Sequence, residues 1–193
     1  MMRTSTIKRT TNETSITLEI NLDGSGNSDI STGVGFLDHM LTLFSFHSGI
    51  DLTIECKGDI EVDDHHTTED IGLALGQALL SALGNKKGVN RYGSSYVPMD
   101  EALARVVVDF SGRPYLIYDA KFEREKVGML DTQNVKEFFK SVSNESKMNC
   151  HMDVLYGEND HHKVEALFKA FGRAVKEACK IVSTEIPSTK GVL

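Results

Sequence analysis

The chain has 193 residues, with 21 Lys and Arg against 28 Asp and Glu, a net charge of −7, a pI near 5.5 and 40% hydrophobic residues. That supplies one buried core or two small fused halves, and the acidic balance gives no global attraction to nucleic acid or an anionic membrane, so an anionic ligand needs a local basic site. Cys56, Cys150 and Cys179 are odd in number and lack CxxC spacing, there is no signal-peptide h-region and no run of 18 apolar residues, so a soluble cytoplasmic protein with reduced thiols is expected.

In chain order, "TSITLEINLDGSGNS" puts Ile16, Leu18, Ile20 and Leu22 on one face before a Gly/Asn/Ser cluster, the pattern of a half-buried strand entering a turn. "GVGFLDHMLTLFSFHSG" has helical spacing with a glycine stop at Gly49, and "IDLTIECKGDIEVDD" reads as a second strand. A longer helix is predicted from Thr67 to Leu83, with acidic residues at its start and Gly84 closing it. Residues 84–95, "GNKKGVNRYGSS", read as a loop with local positive charge. Beyond it, "EALARVVVDFSGRPYLIYDAKFE" is strand, turn at Ser111-Gly112, strand. "TQNVKEFFKSVSNES" is a helix, "CHMDVLYG" a short strand and "HHKVEALFKAFGRAVKEACKIV" a long helix.

The second half repeats the first. His65 and His161 stand 96 residues apart, each pair of adjacent histidines opens a long helix, and Glu follows the first histidine at the fourth position. His39 precedes its doublet by 26 residues on the first short helix, and Glu137 precedes the other by 24 on the second; "INLDG" and "VVDFSG" occupy similar places on strands. The reading is one domain over 1–193 with approximate repeats 1–90 and 91–193: an α+β fold of internally duplicated α/β halves related by a pseudo-twofold axis.

Residues i and i+4 share a helix face, so His65 with Glu69, and His161 with Glu165, can each close on one ion. Adjacent side chains diverge by about 100° at ~3.6 residues per turn, so His66 and His162 must face other ions or partners. Two metal centres are expected, with His39 and Glu137 as further ligands. Imidazole and carboxylate without thiolate suit Mn, Fe or Zn, and six-coordinate geometry with open positions favours Mn or Fe. Asp63, Asp64 and Asp70 read as supports for the ligands or as charges at the helix start. Arg91 in "NRYG", Arg113 in "SGRP" and Ser188, Thr189 and Lys190 in "PSTKG" offer donors suited to a phosphate monoester, and Lys169 lies two turns beyond His161 on the same face.

Together "TGVGFLDHM", "GDIEVDDHHTTEDIGLALGQAL", "RYG", "PMDEALARVVVDFSGRP", "NDHHKVEALFKAFGRA" and "PSTKG" resemble the imidazoleglycerol-phosphate dehydratase family over nearly the whole chain. The resemblance implies helices packed between two sheets, a ribosomal protein S5 domain 2-like fold. It implies a lyase of histidine biosynthesis that dehydrates imidazole glycerol phosphate to imidazole acetol phosphate. Two manganese ions (Mn2+) per active site would hold the substrate ring as an imidazolate. One ion would be held by His39, His66, His161 and Glu165, the other by His65, Glu69, His162 and Glu137, with ligands drawn from neighbouring subunits of a homo-24-mer built from trimers.

Glu13 in "TTNETS" then becomes the acid/base carboxylate, His47 a substrate contact, and Arg91, Arg113, Lys169, Ser188, Thr189 and Lys190 surround the phosphate. Catalysis would fall to Glu13 with the ligand histidines His39, His65, His66, His161 and His162, and His39, His65, Glu69 and His161 would also touch substrate. Many relatives carry His where Glu137 stands and Gln where Leu43 stands. His151 in "CHMD" matches a family histidine, read here as a support for the site. Two competing readings of the same clusters are a dinuclear hydrolase of a phosphorylated small molecule and a metal-storing cage.

Overall fold

Each half of the chain folds by the same path. In the computed structural model, which describes residues 2–193, the first half runs β1 (Thr4–Thr10), β2 (Thr14–Asn21), β3 (Ser28–Ser31), α1 (Gly35–Ser48), β4 (Asp51–Gly58) and α2 (His65–Leu83). The second runs β5 (Tyr92–Met99), β6 (Ala102–Asp109), β7 (Tyr115–Asp119), a short hairpin of β8 (Lys126–Val127) and β9 (Leu130–Asp131), then α3 (Thr132–Ser146), β10 (Asn149–Tyr156) and α4 (Asp160–Ala178). The sheet orders β1-β2-β4-β3 and β5-β6-β10-β7 correspond strand for strand. In both, the first three strands are antiparallel and the last joins in parallel. A parallel neighbour requires a crossover, which α1 supplies between β3 and β4 and α3 supplies between β7 and β10.

The inward rows of the sheets, Ile16, Leu18 and Ile20 on β2 and Ala104, Val106 and Val108 on β6, are buried under helices. α2 covers β1 and β2, α4 covers β5 and β6, and the halves join where α2 meets α3 and α1 meets α4. One apolar cluster therefore serves both halves. At its centre Phe44 stacks on Phe171 with ring centroids 5.3 Å apart, and Phe139 lies 4.8 Å from Phe168. Truncating one such ring to Ala costs about 3–5 kcal/mol. The helix crossings are close because each carries a glycine: a methyl group at Gly76 would meet the carbonyl oxygen of Val142 at 2.7 Å, and one at Gly172 that of Phe44 at 2.9 Å. These two glycines are 96 residues apart, the same interval as the doublets.

The expected duplicated α+β architecture is present, and Gly49 ends α1 in the left-handed conformation as read from sequence. Three strands carry too little apolar alternation to announce themselves. β1 and β3 each contain one isoleucine and lie at sheet edges. β5, whose first residues fell in the predicted loop, points Gly93, Ser95 and Val97 inward, and a methyl at Gly93 would lie 1.9 Å from the oxygen of Ala174 on α4. Small inward residues are what that approach demands, so the hydrophobic signal is missing. The long helices also shift: α2 starts at His65 rather than Thr67, bringing the doublet into its first turn, and α4 ends at Ala178 rather than Val182. Among the described residues, no helix is long and apolar enough to cross a membrane.

Equivalent first residues of β4 and β10 tie down equivalent turns. Asp51 Oδ1 accepts from the backbone N–H groups of Ser25, Gly26 and Asn27 at 2.9, 3.1 and 2.9 Å, and Asn149 Nδ2 donates to the carbonyl of Arg113. Those backbone donors hold the Asp51 carboxyl below its ordinary pKa. A depressed carboxylate stabilises the fold above its unfolded pKa, and that contribution is lost as pH falls through the folded value. Asp51→Ala should therefore cost about 1.5–3 kcal/mol at neutral pH and show less of that cost in acid, measured by denaturant melts at pH 7 and below pH ~3; an equal loss at both would remove the charge from the explanation.

Candidate metal centre

Along the α1–α4 seam three donors converge. His161 Nε2 lies 3.1 Å from Glu165 Oε2 and His39 Nε2 lies 3.6 Å from the same oxygen, all three ligand atoms falling within 4.8 Å of one another. The i, i+4 spacing brings His161 over Glu165, and the crossing of α1 brings His39 to them. Glu165 is only 6% exposed, and its other oxygen accepts from Lys169 Nζ at 2.5 Å. Burial pushes this carboxyl up, but the Lys169 ammonium, with His161 and His39, outweighs that and holds it low, so it stays charged. Phe36 sets its ring edge against His161 at 4.9 Å and fixes the imidazole from the side. Two imidazoles and one carboxylate facing a common point fit a first-row divalent ion, with positions left over for other ligands.

The pseudo-equivalent α2–α3 seam carries His65, Glu69 and Glu137, and it does not close. His65 Nε2 is 3.8 Å from Glu69 Oε2, while Glu137 turns to Lys140 at 2.8 Å, whose ammonium is raised by that bond and by the nearby charge of Glu69. The cause is chemical. Where His39 faces Glu165 in the first seam, Glu137 would face Glu69 in the second, and two carboxylates need a cation between them. Lys140 provides one. Among the described residues, the α1–α4 triad is the sole group of three such donors.

The second histidine of each doublet points away from both seams. His66 has Asp59 on Nδ1 at 3.0 Å and Glu13 at 3.6 Å from Nε2; His162 has Glu101 on Nδ1 at 2.7 Å and Asp100 at 3.8 Å from Nε2. These Nδ1 bonds raise both imidazole pKa values and present Nε2 outward. His65 is oriented likewise: Asn134 Oδ1 lies 2.9 Å from its Nδ1, and Asn134 Nδ2 donates to Asp64 at 2.9 Å. Asp64 thus orients His65 through Asn134. Asp63 instead accepts from the backbone of His65, and Asp70 bonds Thr14 and Arg9.

Sequence reading missed Asp59, Glu101 and Asn134. The repeat register held the clue for one of them. Glu13 and Glu101 lie 88 residues apart, each immediately before the second strand of an equivalent hairpin. Their states differ. Glu101 accepts from the backbone of Asn159 and Glu158 and from His162, which hold its carboxyl down at about 2, whereas the Glu13 side chain is half exposed and takes no such bonds.

The expected anion donors divide into two groups. Lys169 sits at the metal seam, and His47, one further turn along α1 beyond Leu43, has its imidazole pKa lowered by burial and by Lys169 and Arg173. Arg91 lies at the other end of α4, its N–H bonded to Ala178 O, about 13 Å along the axis from Lys169 at ~1.5 Å per residue. Its guanidinium grips Asp109 at 2.7 Å and Pro187 O at 2.9 Å, which fastens the tail carrying Ser188, Thr189 and Lys190. Arg113 is exposed on the neighbouring turn and makes no side-chain ion pair among the described residues. His151 does not support the seams. It projects from the outer face of the second sheet, between Val107 and Ile117, because its neighbours Cys150 and Met152 take the inward positions on β10.

Comparison with known proteins brings these observations together. Residues 32–175 match the family model for imidazoleglycerol-phosphate dehydratase. Proteins of that name from Clostridioides difficile and Exiguobacterium are 57% and 55% identical, covering 100% and 98% of both chains. The crystal structure of the Staphylococcus aureus enzyme superimposes with a TM-score of 0.85 at 50% identity, covering 93% of this chain and 99% of that one. The Pyrococcus furiosus structure gives 0.85 at 40% identity, covering 97% and 100%.

Glu101→Gln removes the carboxylate behind His162 and should weaken divalent-metal affinity about ten- to a hundredfold, read by titrating Mn2+ and following the free ion by paramagnetic resonance. An unchanged binding curve would detach His162 from the centre.

Proposed function

The chain belongs to the imidazoleglycerol-phosphate dehydratase family and is a hydro-lyase of histidine biosynthesis; from that premise we propose that it works with two Mn2+ ions per active site and converts imidazole glycerol phosphate into imidazole acetol phosphate and water. The observation that carries this reading is the α1–α4 seam, where His39, His161 and Glu165 share one focus. His66 is the proposed fourth donor there. At the other seam the donors are His65, Glu69 and Glu137, with His162 as the fourth. Neither His66 nor His162 lies in its seam within one chain, and both offer Nε2 outward, which supports ligands shared between subunits. A homo-24-mer built from trimers is the proposed assembly, and the cytoplasm, where three buried free thiols stay reduced, the proposed location. The chain acts as one domain over 1–193, with its repeats at 1–90 and 91–193.

What the ions would supply, when bound, is positive charge beside the substrate's azole ring, which favours loss of the ring N–H proton, and the deprotonated ring is the better electron donor to the adjacent carbon chain. The chain's residues handle the rest. Glu13, free of the bonds that lock Glu101, is placed to carry protons: one to the departing carbon-3 hydroxyl, which leaves as water, and one from carbon 2, giving an enol that becomes the ketone. His39, His65, Glu69 and His161 border the ring, His65 and His161 turn Nε2 into their own seams, and His66 and His162 offer theirs outward to the centres of neighbouring subunits. Lys169 holds Glu165 charged and faces the substrate with His47, while Arg91, Arg113, Ser188, Thr189 and Lys190 form the phosphate end.

Product analysis tests the reaction. Loss of water with formation of a ketone is expected, and release of inorganic phosphate would replace this reading by a hydrolase. Glu13→Gln should retain metal and substrate binding yet lower kcat by roughly 10²–10⁴; normal turnover would take Glu13 out of the mechanism. Removal of metal by a chelator should break the assembly into smaller oligomers, and light scattering that shows an undiminished particle after verified metal loss would refute the shared ligands.

A further inference from the structure

The duplicated scaffold supplies an internal control for charge. α2 and α4 are pseudo-equivalent at an interval of 96. Beyond Asp70, α2 carries no charged side chain as far as Leu83, whereas α4 presents Lys169, Arg173 and Lys176, with Lys180 just past its end. The matching positions in the first half hold Leu73, Gln77, Leu80 and Gly84, so the fold itself does not require cations there. Spacings of four, three and four residues put all four cations on one side of the helix axis. From Ala166 to Ala178, only Lys169, Arg173, Lys176 and Glu177 escape burial.

The two seams also differ at this level. In the α2–α3 seam Gln77 donates to Glu145 at 3.0 Å and closes the interface. The equivalent residues of the α1–α4 seam are Arg173 and His47, which cannot neutralise each other. There a groove of about 410 Å³ opens between His47, the Ser94–Ser95 edge of β5 and the cations of α4. Arg173, Lys176 and Lys180 make no ion pair and no side-chain hydrogen bond among the described residues. The carboxylates around them are engaged elsewhere: Glu177 accepts from the Ser94 N–H at 2.8 Å, Glu165 from Lys169 and Asp23 from Arg3. Burial lowers the His47 imidazole pKa first, and Lys169, Arg173 and Lys176 lower it further against the opposing pull of Glu165. A chain of net charge −7 thus keeps one groove positive. Long exposed side chains of one sign do not build a tight pocket; they set up a potential that concentrates counter-ions.

We infer that the groove along α4 is an electrostatic guide for the anionic substrate, drawing a phosphate monoester dianion past Lys180, Lys176 and Arg173 toward Lys169 at the metal seam. This rests on the reading that the substrate is a phosphate ester. The dianion is held in transit by charge alone, so the guide acts on capture of substrate and leaves the chemical step untouched.

The test uses the whole metal-loaded protein, wild type against the triple variant Arg173→Gln, Lys176→Gln, Lys180→Gln. Lys8→Gln with Lys57→Gln, two exposed cations on the outer face of the first sheet, controls for net charge. At ~0.01 M ionic strength, where charges act over about 30 Å, the triple variant should lose about tenfold in kcat/KM with kcat unchanged. At ~1 M, where the range shrinks to about 3 Å, it should converge on wild type. The control should follow wild type throughout. A loss that persists at high salt would make these residues direct contacts or structural supports, and no loss at low salt would leave them idle; either result overturns the guide.

A second measurement is independent of turnover. The chain has no Trp, so Phe46→Trp, at an exposed position that lines a cleft with Lys176 and Lys180, gives a single reporter at the mouth of the groove. Relative to free indole, iodide should quench it severalfold better than neutral acrylamide at low salt, and the excess should vanish when the three cations are removed. Equal quenching by the two would overturn the guide. If wild type left imidazole glycerol phosphate unchanged, the functional reading would fall, while the quenching would still decide whether the groove attracts anions.

Discussion

A single buried carboxylate organises one side of this molecule. Glu165 faces two imidazoles with one oxygen and an ammonium with the other, and each contact comes from a different constraint. His161 is there because of helical spacing, Lys169 because the same spacing continues for another turn, and His39 because α1 crosses α4 at the glycine that lets them approach. A carboxylate so enclosed is stable only when charge balances it. Within the chain Lys169 does part of this, and with the two imidazoles the carboxylate forms a group that could hold a divalent ion.

Duplication explains why the same parts occur twice, and divergence explains why they are not equivalent. Asp51 and Asn149 occupy matching strand positions and hold matching turns, but only the second turn carries an arginine toward the surface. Glu13 and Glu101 sit on matching hairpins, one loose and one locked to a histidine. The carboxylate at 137, where the first half has the imidazole of His39, leaves the α2–α3 seam open around Lys140, whereas in the α1–α4 seam Lys169 takes one oxygen of Glu165 and leaves the other to the two imidazoles. In each case a small chemical change at a fixed backbone position altered what the side chain can do, and the scaffold stayed the same.

Much of this was legible in the residues. The doublets, their Glu at the fourth position and the interval of 96 gave the seams and the repeat, because helical periodicity is local and survives in the sequence. What could not be read depended on contacts between distant segments. The inward face of β5 is small because α4 lies on it, which alternation within β5 cannot reveal. Asp59, Asn134 and Glu101 reach their histidines from other elements, and no spacing rule links 134 to 65 or 101 to 162. Lys86 was visible as one of two lysines in a basic loop, but its burial, which sets it apart from its neighbour Lys87, belongs to the fold alone.

The helix pairing also has a historical meaning. Each seam takes one helix from each half: α1 with α4, and α2 with α3. A half-length ancestor could therefore not have assembled either seam from its own chain. It would have needed a second copy, swapping partners across a twofold axis to make two identical seams at once. Joining two such copies in one chain would let each seam vary separately, and the imidazole at 39 against the carboxylate at 137 is a difference that two identical seams could not have.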